Sequence, residues 1–146
     1  MKIKIVSKDF IMHNVPLERL VFDANSVKDT CLLVDDVNEK RWQISFKCLY
    51  ALKLTDMDYA GLDFRKGKDF PDDCFEGSTE QNRIFRKFIF EVEDSKWIKE
   101  LKTKEPESAL PKHKYASDVG KARHFLLLCY DYIVEIIAWD LELVQV

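Results

Sequence analysis

From Trp42 to Leu54 every even position is apolar: Trp42, Ile44, Phe46, Cys48, Tyr50, Leu52 and Leu54. The odd positions, Gln43, Ser45, Lys47, Leu49, Ala51 and Lys53, are mixed. Successive side chains of a strand face opposite sides, whereas a helix would scatter these seven around its axis. The run predicts a long antiparallel strand with one face on a core and the other partly wet. It exceeds the usual strand length, so a bulge or bend is expected near Leu49-Tyr50.

The same reading extends along the chain. Strands are predicted over Lys2 to Val6 and Leu17 to Asp23. Thr30 to Asp35 forms a hairpin with the long strand, turning at Asp36-Val-Asn-Glu-Lys40, where Asp and Asn suit a tight turn. Arg83 to Glu93 is apolar on both faces, as a central strand would be. Asp94 or Ser95 opens a helix from Lys96 to about Lys104, with Trp97, Ile98 and Leu101 at helical spacing and Pro106 beyond it. Residues 105–123 read as a polar connection. A C-terminal hairpin follows: His124 to Tyr130, a turn at Asp131, then Tyr132 to about Val144. Residues 55–82 differ, with eight acids against three bases, three of the four glycines and Pro71. They read as a long irregular excursion, of the kind used for binding. The expected fold is α+β: a mainly antiparallel sheet of six to seven strands, a half-barrel or a sandwich, with one or two short helices. Strands do not alternate with long helices, which argues against a doubly wound nucleotide-binding fold.

At 146 residues the chain fits one domain over 1–146. Ten Phe, five Tyr and three Trp can fill its core. A net charge of −3 argues against nucleic-acid binding by bulk electrostatics. Cys31, Cys48 and Cys129 lie in apolar runs, where a reduced thiol behaves as a small hydrophobe. The first residues hold no secretory signal, and no apolar stretch reaches the roughly 20 residues that span a bilayer. A cytoplasmic protein without a membrane partner is expected.

The sequence offers little catalytic chemistry. No Cys or His pair has zinc spacing, the Asp69, Asp72, Asp73 cluster lacks calcium-loop spacing, and glycine-rich phosphate loops are missing. No metal or cofactor is expected. Two residues remain as catalytic candidates. Glu135 stands among apolar neighbours in Tyr-Ile-Val-Glu-Ile-Ile-Ala. It reads either as a general acid or base in a β-lined cleft, or as an edge residue, or as an ion pair with Arg86, Lys87 or Arg123. His124 opens an apolar strand, as a general base or as a strand-edge residue bonded to backbone. Charge is also uneven: residues 55–82 sum to −5 and residues 96–123 to +4. Asp56, Asp58, Asp63, Asp69, Asp72, Asp73 and Glu76 are therefore the candidate binding residues, offered to a basic partner.

Three segments carry a family likeness: Trp42-Gln-Ile-Ser-Phe46 with Ala51-Leu-Lys-Leu-Thr-Asp56, then Glu93-Asp-Ser-Lys-Trp-Ile98, then His124-Phe-Leu-Leu-Leu with Asp131-Tyr-Ile-Val-Glu-Ile-Ile137. Their order resembles small cytoplasmic bacterial proteins encoded beside polymorphic toxins and described as immunity proteins. The resemblance spans about half the chain in separate blocks and brings no catalytic residues. It implies a stoichiometric binder that occludes a toxin domain. The leading expectation is thus a non-catalytic protein-binding module of immunity type. The alternatives are a small ligand-binding or hydrolytic β-cup using Glu135 and His124, and a homo-oligomer subunit that completes its sheet with a second copy.

Overall fold

The computed structural model describes residues 2–26, 29–61, 69–77, 79, 82–104 and 119–146. The predicted antiparallel architecture is present. Strands β1 (Lys2–Met12), β2 (Arg19–Val21), β3 (Cys31–Asp35), β4 (Arg41–Lys47) and β5 (Ala51–Asp56) come first. The short β6 (Phe75–Glu76) and β7 (Ile84–Phe85) are followed by β8 (Lys87–Glu93) and helix α1 (Lys96–Thr103). Strands β9 (Arg123–Leu128), β10 (Tyr132–Ala138) and β11 (Asp140–Gln145) complete the chain. A five-stranded sheet has the order β1-β8-β9-β10-β5, and a four-stranded sheet the order β11-β4-β3-β2. The main core lies between them: Phe10, Ile89, Phe125, Leu127, Val134 and Ile136 meet Leu32, Val34, Ile44 and Phe46. This is an open sandwich.

The 42–54 run breaks where the bend was expected, and the break does more than bend a strand. Cys48 takes a left-handed backbone, φ 52°, after which β4 leaves one sheet and β5 joins the other. The predicted 132–144 strand divides in the same way at Trp139, into β10 and β11. The two breaks are stitched together, with Tyr50 N–H donating to the Ile137 carbonyl and Trp139 N–H to that of Lys47, each at 2.8 Å. One long two-stranded ribbon thus folds over and supplies a pair of strands to each layer. These divisions, with the short β6–β7 pair, raise the strand count to eleven among the described residues.

The β3–β4 hairpin turns where Asp36 predicts. Its carboxylate accepts from the amides of Asn38 and Lys40 and from the Trp42 indole. Burial opposes ionisation of Asp36, but these bonds outweigh it and hold the carboxyl below its ordinary range.

Strands β8, β9 and β10 are interior strands of the larger sheet, and their apolar side chains are buried on both faces. Phe88, Phe90, Leu126, Leu128 and Ile133 form a second core on the outer face. Part of its cover is Phe70 and Cys74. The expectation of an irregular excursion over residues 55–82 is therefore corrected for 69–77: this stretch packs as a cap because its apolar side chains have a core to fill. Another part of the outer face, around Ile137, is covered by α1. Eight residues are too few for a stable isolated helix, so α1 depends on packing. Trp97, Ile98 and Leu101 supply it against Ile137, Val119 and Ala122. The connection predicted for 105–118, including His113, and the candidate residue Asp63 lie outside the described residues.

Candidate functional site

Two neighbouring arrangements use β5 and β10. The first is buried. Strand alternation puts His124 of β9 and Glu135 of β10 on the outer face, under the start of α1. His124 Nε2 and Glu135 Oε1 are 2.9 Å apart, and His124 Nδ1 lies 2.7 Å from Ser95 Oγ. Ser95 caps α1, its oxygen accepting from the Ile98 amide at 3.2 Å. Lys53, opposite Glu135 in the β5–β10 register, approaches its other oxygen at 3.8 Å. The Trp97 ring meets His124 edge-on. The hydrogen bond to His124 is the main reason the Glu135 carboxyl lies below its usual range, with the charges of His124 and Lys53 adding to it against the effect of burial.

This corrects the proposed ion pairs of Glu135. Arg123 points to the other face, where it holds Glu91 and Asp140. Arg86 donates to the Asp73 carbonyl, and Lys87 reaches that of Cys129. None of the three could have been chosen by sequence distance, because the partners of Glu135 come from β9 and β5, set by sheet order.

A serine, an imidazole and a carboxylate in a chain are also the parts of a nucleophile, base and orienting acid. Here both ring nitrogens of His124 are engaged and the residue is only 5% exposed. Ser95 Oγ is committed to the helix end. The chemistry this geometry performs best is fastening: one hydrogen-bonded chain ties the N-terminus of α1 to two central strands.

The second arrangement is exposed and lies at one end of the same ribbon. Leu54 and Asp56 of β5 pair in register with Val134 and Tyr132 of β10. Asp56 Oδ1 accepts from Asp58 N–H at 2.9 Å, which starts the 3-10 turn Met57–Tyr59. Met57 N–H donates to the carbonyl of Asp131, in the β9–β10 turn. Around this junction Tyr59 is 84% exposed, Tyr130 56%, Leu54 52% and Tyr132 48%. Asp56, Asp58 and Asp131 are exposed between them. The side facing the clamp is a groove of about 270 Å³ whose lining includes Lys53, Thr55, Tyr59 and Glu135.

The predicted acids thus divide. Asp56 and Asp58 stand in this aromatic patch. Asp69 is half-buried beside Phe70, and Asp72 and Asp73 belong to the 3-10 turn Asp72–Cys74. Asp73 accepts from Lys8 Nζ at 2.8 Å, which draws its carboxyl below the ordinary range. Glu76 sits in β6, opposite Ile84. Sequence reasoning passed over Tyr59, Tyr130, Asp131 and Tyr132. The available signal was Tyr59 inside the predicted excursion and two tyrosines flanking the predicted turn at Asp131, where nothing in the local pattern buries them. Among the described residues no group of three His, Cys, Asp or Glu side chains is placed to hold a metal, and no helix is long and apolar enough to cross a membrane. Comparison with protein-family models, with curated proteins and with solved structures finds no match to this chain.

Proposed function

We propose that the protein is a non-catalytic binding module whose contact surface is the exposed end of the β5–β10 ribbon, and that its partner is a basic protein. The observation that carries this reading is the exposed end itself: three exposed tyrosines, a leucine and three exposed carboxylates distributed over the two sides of the β5 edge and the adjoining turns. Tyrosine supplies large contact area at low entropic cost and is enriched at interfaces, while scattered apolar side chains are ordinary on any surface. Lys53, the one cation of β5, is turned toward Glu135, and among the described residues no ion pair is formed by Asp56, Asp58 or Asp131. Complementary charge of this kind raises association rate and specificity. The resemblance to immunity-type proteins points the same way, with a toxin domain bearing a cationic active site as the partner class.

The test is capture from the native host at low and at high salt. One partner at equal stoichiometry is expected at low salt. It is lost at high salt and lost with Asp56→Lys/Asp58→Lys, which keeps the wild-type fold by circular dichroism although the Asp56 cap is removed. Recovery of no partner in either condition would overturn the reading. A hydrolytic cup built on Glu135 and His124 has one observation in its favour, the chain through Ser95. Turnover of ester substrates that disappears in Ser95→Ala would establish it instead.

A further inference from the structure

We infer that recognition runs through the backbone of β5: the partner adds an extended basic segment as a new strand on its open side. This rests on the protein-binding reading above and specifies how that surface works.

The register gives the first support. Strand β5 is the last strand of the larger sheet. Asp56 faces Tyr132, and Met57, one step further, donates its amide to Asp131 opposite it. In an antiparallel ladder the residues that bond the neighbouring strand alternate. Lys53 and Thr55 therefore turn their N–H and C=O toward β10, and Leu52, Leu54 and Asp56 turn theirs away from it. Along this edge three residues in alternation each offer a donor and an acceptor, the template for strand addition.

The second support is the placement of the exposed side chains. Leu54 and Asp56 share one face of β5, with Tyr132 beside them, whereas Thr55 and Tyr59 line the groove on the other face. A partner touching both sets has to cross the β5 edge. The other edge of this sheet is poorly suited. Strand β1 is irregular in register between Ile5 and Met12 and carries Lys2, Lys4 and Lys8. Bulges and lysines are the usual guards of an edge. The third support is charge: Asp56, Asp58 and Asp131 favour lysine or arginine at alternate positions of the incoming strand.

The test uses a synthetic peptide alternating lysine with valine, and the same peptide N-methylated so that it cannot donate. Amide hydrogen exchange of the full chain is read residue by residue. The unmethylated peptide is expected to slow exchange at Leu52, Leu54 and Asp56 about tenfold or more, leaving Lys53 and Thr55 unchanged. The methylated peptide is expected to do nothing. Equal or absent effects of the two peptides would overturn strand addition. Leu54→Pro gives a second arm. Its lost N–H points outward, where proline is tolerated on an edge strand, so the fold is kept and peptide binding is lost. Leu54→Ala, which keeps the backbone donor, retains the protection pattern and stands in should the proline variant not fold. If Leu54→Pro still binds the host partner that Asp56→Lys/Asp58→Lys loses, strand addition is wrong and the protein-binding reading survives. A wild-type dimer in sedimentation that becomes a monomer in Leu54→Pro would make a second copy the occupant and overturn the basic partner.

Discussion

Strands β5 and β10 hold two arrangements that differ in everything but their backbone. At Lys53 and Glu135 the pair faces α1, and its polar groups are bonded to His124 and through it to Ser95. One and three residues along, at Leu54 and Asp56, the side chains are exposed, and among the described residues no strand lies beside the outward backbone groups. The buried arrangement spends its hydrogen-bonding capacity on the fold. The exposed one keeps its capacity for something outside. Chemistry-bearing residue types alone did not separate the two: Glu135 is hydrogen-bonded to His124 beneath α1, and Tyr59, Tyr130 and Tyr132 face solvent.

Substitutions should separate them by effect. The largest change is expected for His124→Ala, which leaves the Ser95 hydroxyl and the Glu135 carboxylate without their partner in a buried place. About 3 kcal/mol of stability should be lost, read from denaturant unfolding, with partner capture retained under folding conditions. Ser95→Ala removes the helix cap and the Nδ1 contact together, an expected cost of about 2 kcal/mol with loss of helical circular dichroism. Tyr59→Ala should do the reverse. Its affinity for the host partner falls about tenfold while stability stays within about 0.5 kcal/mol.

Glu135→Gln sharpens the comparison through pH. A carboxyl held below its ordinary value of 4.5 by its surroundings stabilises the fold fully above that pH. The contribution is lost as pH falls below 4.5 through the lowered folded value. The wild type should therefore exceed Glu135→Gln by about 1 kcal/mol at neutral pH, and the gap should close on acidification. A gap that stays constant with pH would show that the carboxylate charge takes no part in the clamp. Smallest in energy, thiol labelling reports burial. Burial pushes the Cys74 thiol up to about 11 and that of Cys129 to about 12. Half-buried Cys48, at the sheet corner, should be the first to react in the native protein, and all four should react after unfolding.

Much of the fold was legible because it follows from local periodicity. The β3–β4 hairpin, the two-faced β8 and β9, and α1 with its Ser95 cap all lie where alternation, turn residues and helical spacing place them. The run at Trp42–Leu54 was read as strand, with its irregularity near the observed break. Its alternation could not report that β4 and β5 belong to different sheets, since a left-handed residue at Cys48 leaves the pattern of apolar positions intact on both sides. Asp69, Asp72 and Asp73 looked like free surface charge because the apolar cap formed by Phe70 and Cys74 depends on a core assembled from β8, β9 and β10.

The sequence by itself determined most of the secondary elements, the antiparallel class and the candidate residues Glu135 and His124. Those properties depend on side-chain period and on neighbours close in the chain. Only the tertiary structure decided that Glu135 meets His124, Lys53 and, through the imidazole, Ser95, and that Asp56 stands opposite Tyr132, with Met57 bonded to Asp131 beside it. Those meetings depend on the order of strands in a sheet. Strand order is set by how two layers bury their apolar faces together, and that information is spread over the whole chain.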